Sequence, residues 1–382
     1  MSDISATDII PPRWLKLLKT VVEINSGTPN IQGQEKVRDA FIPEFEALGL
    51  KASVFPLADG RKVVSLQFPG AKPDLLLVGH IDTVFPETSS FQKFSSTGAI
   101  AAGPGVIDMK GGNVLLLNAL SDMRDEDLLK RVRVVLNDDE EIGSVYSQNK
   151  LLELAQGVRS GLVFEPGLSD GALVTAQAGI RWLELIVHGK AAHAGLEPEN
   201  GINAAAELAH KLTQIHALTD YSCHLTVNIG SVGGGTATNI VCQEASANLD
   251  IRYVDQADLD RVLAKIQAIA QSSSIKSRAT GDKPTAEIKE ISRRPDMPVG
   301  ATAALFKMAQ SAGAAVHQEI KGRAVGYASD ANGLAKTGMN LLVGLGPYGG
   351  GMHTDKEYMV QRSYPERLQL VTMLMRNILQ AR

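Results

Sequence analysis

The chain has 382 residues, more than one hydrophobic core commonly organises, and 44% of them are hydrophobic, enough to bury the interiors of two domains. Its 38 basic and 42 acidic residues leave a net charge of −4, so there is no basic surplus to hold a polyanion and nucleic-acid binding is set aside. No apolar run approaches the ~20 residues of a transmembrane helix, which sets aside membrane insertion as well.

Met1 to Pro12 carries Asp3 and Asp8 and no basic stretch ahead of an apolar one. It does not read as a secretory signal, and the expectation is cytoplasmic. In a reducing compartment Cys223 and Cys242, which lack CxxC spacing, read as two small buried hydrophobes. Residues 12–24 place Trp14, Leu17, Leu18, Val21 and Val22 at helical spacing, and 34–48 repeat the pattern with Val37, Phe41, Phe45 and Leu48 before Gly49. Extended segments follow near 51–57 and 62–68. The run Leu75–Val78 behind Pro73 reads as a buried parallel strand that delivers Gly79, His80, Ile81 and Asp82 at its carboxyl end. Open α/β sheets bind ligands at that end. His80 and Asp82 point the same way on a strand, so the carboxylate can fix the imidazole tautomer for a metal. After a loop holding Asp108, a helix opens at Gly111 and Gly112 and runs through Val114 to Leu120.

Arg131 to Asn137 is a further strand, ending in Asp138, Asp139, Glu140, Glu141, Ile142, Gly143 and Ser144. Ser160 to Phe164 is another and ends in Glu165, Pro166 and Gly167. From Gly179 the texture changes. Arg181 to His188 alternates, 199–217 is an Ala-rich helix, 225–231 and 245–253 are strands, and a helix spans 256–270. Strand, helix, strand, strand, helix, strand is the split βαβ pattern of a small α+β domain. The chain therefore divides into a catalytic domain's first part over 1–178, an inserted domain over 179–293, and the second part over 294–382. Helix at 302–312, strand at 340–343 and helix at 364–380 complete the first domain. The glycine runs at 233–235 and 349–351 read as loops, and neither has the Lys-Ser/Thr or βαβ context of a phosphate cradle.

Taken singly, each candidate residue has a bland reading. His80 alone would be a hydrogen-bonded structural histidine. Together, His80, Asp108, the Glu140/Glu141 pair, Glu165 and the late His353, each at a strand end or loop, form a set of nitrogen and oxygen donors suited to zinc, with cobalt or manganese as substitutes. Five ligands fit two ions better than one. A bridging carboxylate with one histidine and one further carboxylate on each side leaves room for a shared water.

His80-x-Asp82, Gly103-Pro104-Gly105-Val106-Ile107-Asp108-Met109-Lys110-Gly111-Gly112, Asp139-Glu140-Glu141-x-Gly143-Ser144, Glu165-Pro166 and His353-Thr354-Asp355-Lys356 resemble the motifs of the dinuclear-zinc aminoacylase and carboxypeptidase family. That family includes glutamate carboxypeptidase, succinyl-diaminopimelate desuccinylase, acetylornithine deacetylase and tripeptidase, and the match to glutamate carboxypeptidase is the strongest. The resemblance implies an α/β fold: a zinc exopeptidase-like catalytic domain, its mixed sheet flanked by helices, with a ferredoxin-like α+β lid and dimerisation domain inserted. It implies two zinc ions per subunit. His80, Asp108 and Glu165 would hold one, Asp108, Glu141 and His353 the other, with Glu140 the general base and the Asp108–Met109 peptide cis. In the insert, Gly189 to Gly195, Asn203-Ala204, Asn239 and Arg252 also match. There the resemblance makes His193 an oxyanion donor across a homodimer, and Arg252 and Asn239 the grip on a substrate carboxylate. Arg294 is a further carboxylate-binding candidate, against the alternative of a surface charge.

One departure stands out. Many relatives carry a basic pair before the glycine that opens the lid, where this chain has Gln177-Ala178-Gly179. The implied activity is zinc-dependent hydrolysis of a small N-acyl or peptide substrate with release of a C-terminal amino acid, glutamate first. The alternatives are an N-acyl amino acid deacylase and a catalytically silent metal-binding scaffold, which loss of Glu140 or of a ligand would favour.

Overall fold

The computed structural model describes residues 10–124 and 127–381. Most of the stretch read for a leader lies outside them. The described residues form two compact units: one runs up to Gln177 and takes in Met297–Val325 and the chain from Ser329 onward, the other comprises Ala178–Asp296 and Gly326–Ala328.

The first unit opens with α1 (Pro12–Val22), α2 (Ile31–Glu46), β1 (Lys51–Pro56), β2 (Lys62–Gln67) and β3 (Leu75–His80). It continues through β4 (Ser95–Thr97), β5 (Ile100–Ala102), α3 (Lys110–Asp122), β6 (Val132–Asn137), α4 (Gln148–Ala155), β7 (Ser160–Val163), β8 (Pro166–Gly167) and β9 (Leu173–Gln177). The second unit contains β10 (Gly179–His188), α5 (Ala204–His216), β11 (Thr226–Gly234), β12 (Glu244–Tyr253), α6 (Gln256–Gln271) and β13 (Thr285–Arg294). The first then resumes with α7 (Val299–Ala315), β14 (Gly322–Val325), α8 (Asp330–Leu334), β15 (Asn340–Val343), β16 (Gly346–Gly350), β17 (Tyr358–Val360) and α9 (Ser363–Gln380).

In the first unit a mixed sheet runs β1-β2-β6-β3-β7-β15-β9-β14, with β3 between β6 and β7 and parallel to both. Leu75 to Val78 are fully buried, as an unbroken apolar run demands of a strand covered on both faces. α3 packs on β3 and against α1 and α9. α9 contributes the stripe Leu370, Val371, Leu374, Met375 and Ile378, and α1 contributes Trp14, Leu18, Val21 and Val22. Each such side chain contributes roughly 1.5–3 kcal/mol by leaving water. That stiff base carries the polar cluster at the strand ends.

The second unit is one antiparallel sheet in the order β11-β12-β10-β13, the arrangement expected of a split βαβ pattern. Leu183, Leu185 and Val187 of β10 share a core with Leu208 and Ile215 of α5 and with Val262 and Ile266 of α6. Both units together give the mixed α/β class expected from the sequence. Among the described residues no helix is long and apolar enough to cross a membrane.

Several local readings are corrected. The helix drawn from residue 199 begins at Ala204, because the Asn203 side chain accepts from Ala206 N at 3.1 Å and caps it there. Gly233, Gly234, Gly349 and Gly350, in runs read as loops, lie in strands β11 and β16. At Gly349 a Cβ would lie 1.8 Å from the Tyr358 carbonyl oxygen, so glycine is what allows β16 and β17 to approach. Cys223 and Cys242 are free but half-exposed rather than buried: Cys223 closes a short 3₁₀ turn and Cys242 lies in the irregular segment just before β12.

Candidate metal centre

The carboxyl ends of β3, β6 and β7 lie side by side, and each delivers a ligand type. His80 closes β3, Glu140 and Glu141 occupy a short 3₁₀ turn (Glu140–Ile142) beyond β6, and Glu165 follows β7. Asp108 precedes α3, whose start presses on its neighbours so closely that a Cβ at Gly112 would meet the Phe164 carbonyl oxygen at 2.1 Å. The Asp108–Met109 peptide is cis. A second, five-stranded sheet, β4-β5-β17-β16-β8, brings in the late histidine. β16 pairs in parallel with β8 directly after Glu165, and β17 pairs with β5 directly before the Asp108 loop, so the turn between β16 and β17 holds His353 over both.

Asp108 divides its two oxygens. Oδ1 lies 3.2 Å from His80 Nε2, and Oδ2 lies 3.1 Å from His353 Nε2. His353 Nε2 is also 3.2 Å from Glu141 Oε2, and His80 Nε2 is 3.8 Å from Glu165 Oε1. Donors that share a tetrahedral zinc at 2.0–2.1 Å sit about 3.3 Å apart, so these spacings fit two ions with one carboxylate between them. Ligand atoms of His80, Asp108 and Glu141, and likewise of His80, Glu140 and Glu165, lie within 4.8 Å of one another. Glu140 is therefore inside the cluster, within ligand reach, and its separation from the ligands is a matter of role.

The electrostatics point the same way. Burial, then the neighbouring Asp108, pushes Glu141 up to about 8, and the same two causes hold Glu165 well above the usual carboxylate range. Hydrogen bonds to Asp108 and Glu141 raise His353 to about 11, while His80 is held well above the usual imidazole value by Asp108 and Asp82 against the opposing effect of its burial. Glu141, Glu165 and the two imidazoles, crowded together, hold on to protons that a dication would displace. Because Glu141, at about 8, and His353, at about 11, hold protons near neutrality in the metal-free protein, metal binding is expected to release protons and to strengthen as pH rises through about 8 and on toward about 11. Titration calorimetry in buffers of different ionisation enthalpy reads the release directly, and a buffer-independent enthalpy would contradict it.

Several residues hold the donors in place. His80 Nδ1 is 3.0 Å from the main-chain oxygen of Asp82 and 3.4 Å from its carboxylate, so both acceptors call for the Nδ1–H tautomer and free Nε2 for a metal. The carboxylate of Asp82, expected to orient the imidazole, is chiefly engaged elsewhere: it accepts from Glu140 N (3.1 Å), Glu141 N (3.2 Å) and Thr28 Oγ1 (2.9 Å). Of the four acids after β6, two are scaffold. Asp138 pairs with buried Arg38, and Asp139 accepts from Tyr146 N and Ser147 N just before α4. Asp330, absent from the sequence reading, accepts from Ser144 Oγ at 2.5 Å and Asn137 Nδ2 at 2.6 Å and so braces both flanks of the acidic turn. The capping pattern Ser329 to Asn332 marks the helix start on which it sits but not its burial.

The remaining candidates belong to the second unit. His193 is exposed, and its Nδ1 accepts from Gly195 N and Leu196 N at 3.1 Å each, which leaves the proton of the neutral ring on Nε2 as an outward donor. The main-chain oxygen of Asn239 accepts from Ala194 N at 2.9 Å, tying that residue to the His193 loop. Arg252 is already forked on Asp250, with Nε and Nη2 contacts of 2.9 Å, and Nη1 donates to the Gly326 oxygen at 3.1 Å. Arg294, at the end of β13, is 8% exposed, which removes the alternative of a solvated surface charge.

Comparison with known proteins agrees with this architecture. Residues 175–277 match the family model of the peptidase dimerisation domain. The chain is 29% identical over 381 residues to carboxypeptidase G2 of Pseudomonas sp. (strain RS-16), covering 96% of this chain and 89% of that one. A metallo-carboxypeptidase of the M20 family from Sulfolobus solfataricus superposes with a TM-score of 0.74 at 16% identity, over 97% of this chain and 100% of the other. A dinuclear metal-binding M20 peptidase from Bacillus subtilis gives 0.69 at 15% identity, over 97% and 98%. At those identities the solved structures establish the fold alone.

Proposed function

From its place among the M20 metallopeptidases, as a metal-dependent hydrolase with an inserted dimerisation domain, we propose that this protein is a dinuclear zinc exopeptidase that releases a C-terminal amino acid, glutamate first, from small N-acyl or peptide substrates. The observation that carries the reading is the division of the Asp108 carboxylate between His80 and His353. In this reading His80, Asp108 and Glu165 hold one zinc, and Asp108, Glu141 and His353 hold the other. When bound, the pair supplies charge that polarises the amide carbonyl and acidifies water.

The chain's own residues do the rest. Glu140 takes the proton of the attacking water and returns it to the leaving amine. Asp82 fixes the backbone on which Glu140 and Glu141 turn. His193 offers Nε2–H to the developing oxyanion from the partner protomer of a homodimer. Arg252, with Asn239, takes the substrate α-carboxylate through the guanidinium protons that Asp250 leaves open. Arg294 is assigned to the side-chain carboxylate of glutamate.

A hydrolysis panel of N-acyl-glutamates, N-acetyl amino acids and dipeptides, with zinc supplied, tests the substrate class. Loss of a charged hydrogen bond costs about 1.5–3 kcal/mol, roughly ten- to a hundredfold in kcat/KM. Arg252→Ala is therefore expected to depress all substrates alike, and Arg294→Ala to depress glutamyl substrates selectively. Equal loss from both variants across the panel would remove the glutamate assignment. The second reading, an N-acyl amino acid deacylase, is favoured by one observation. Gln177, where the resemblance implies one of a basic pair, is a buried amide whose Oε1 accepts from Ser329 Oγ at 2.9 Å. Rapid hydrolysis of N-acetyl or N-succinyl substrates with indifference to C-terminal glutamate would select it, with the metal chemistry unchanged.

A further inference from the structure

Four residues beyond His353, in the turn that returns the chain to β17, lies an acid outside the ligand set. Glu357 is fully buried, and its carboxylate reaches the Asp108 loop. Oε1 accepts from Ile107 N at 2.9 Å and Asp108 N at 3.2 Å, and Oε2 accepts from Gly105 N at 3.1 Å. Three convergent amides on one buried carboxylate are a costly arrangement to break, because each would be left without a partner. The same turn is stapled internally. Thr354 Oγ1 donates to the Gly351 oxygen at 2.7 Å and accepts from Lys356 N at 3.2 Å, and Glu357 N donates to the Thr354 oxygen at 3.2 Å. Within it His353 takes a left-handed backbone, φ 61°, rare for a residue with a side chain. His353 to Glu357 thus grips Asp108 at both ends: the imidazole meets Oδ2 of its carboxylate, and the Glu357 carboxylate meets its amide.

We propose that Glu357 is a positioning residue that presets the bridging carboxylate and, through the shared turn, His353, so that it governs occupancy of the ion held by Asp108, Glu141 and His353. The inference rests on the dinuclear reading above. A bond that fixes a ligand from behind is worth about ten- to a hundredfold in metal affinity. Glu357→Gln keeps the shape but turns an amide N–H₂ toward one side of the amide trio, so one acceptor is lost. Zinc titration of the metal-free protein, followed by metal analysis after dialysis, is expected to show two ions in the native chain. The variant should hold the ion assigned to Asp108, Glu141 and His353 ten- to a hundredfold more weakly, and the ion that shares only Asp108 with this turn should weaken less.

A merely structural role would lower thermal stability with and without zinc by the same amount and leave both affinities intact. That outcome overturns the proposal. A native chain that binds no pair of ions would instead overturn the dinuclear reading. Hydrogen exchange on the native protein gives a measurement that survives misfolding of the variant. The amides of Gly105, Ile107 and Asp108 should be protected before zinc is added, because Glu357 holds them. Free exchange that stops only when zinc binds would mean that the ion orders the loop, and the proposal would fall.

Discussion

Glu140→Gln is expected to bind both zinc ions and to lose about 10²–10⁴-fold in kcat, with KM little changed, whereas Glu141→Gln is expected to lose an ion. The two acids are adjacent in sequence and share one 3₁₀ turn, so a difference between them must come from where each side chain is directed. Glu141 faces His353 at 3.2 Å, opposite the Asp108 oxygen that the same imidazole contacts. Removing its charge leaves that ion with a histidine and a shared carboxylate, too few for a closed zinc site. Glu140 stands by His80 and Glu165, beside the ion that the proposal gives to His80, Asp108 and Glu165. An amide there keeps the volume but takes no proton from water and returns none to the leaving amine. Metal analysis alongside steady-state kinetics separates the two effects. A Glu140→Gln protein that retains turnover but loses an ion would exchange the roles of the neighbours.

The place of the donors at strand ends was open to sequence reading because short, largely apolar runs precede them, while the separate roles of Glu140 and Glu141 came from the resemblance. Leu75 to Val78 reads as a buried parallel strand, Val132 to Leu136 is broken only by Arg133, Ser160 to Val163 is short and apolar at its end, and the donors beyond them followed from the topology of such sheets. The second sheet was not legible. Its strands are two to five residues long, too short for periodicity, and β8 and β16 are mostly glycine and proline, so β-propensity does not mark them, and only the pairing of β16 with β8 shows how His353 reaches Asp108. Asp330 and Glu357 escaped for another reason. One acid among 42 carries no sign of burial in a single sequence, and burial is what makes these two consequential. The engagement of Arg252 could have been foreseen: Asp250 and Arg252 are two apart on a strand, on one face, and such a pair meets. The start of α5 was likewise available in Asn203, a strong capping residue ahead of an alanine run.

His193→Ala is expected to cost about 10²–10³-fold in kcat, the usual effect of removing one oxyanion donor, while both ions stay bound. The geometry that supports a donor role is local to the second unit. With Nδ1 occupied by the amides of Gly195 and Leu196, the neutral imidazole presents Nε2–H and does so without a protonation step. A donor set in advance is worth more than one that must reorganise as charge develops. Glutamine at this position would retain an N–H but not the two-amide anchor, so it should recover only part of the loss. If the donor serves the partner's site in a two-fold dimer, His193→Ala and Glu140→Gln chains can rescue each other, because one site of each mixed dimer has both residues intact. After equal mixing and full subunit exchange, half the dimers are mixed and half of their sites are whole, so activity should return to roughly a quarter of the native level. Size-exclusion chromatography of differently tagged chains establishes that exchange has occurred. Exchange without recovery would place His193 in service of its own protomer, and an unimpaired His193→Ala enzyme would remove it from the reaction altogether.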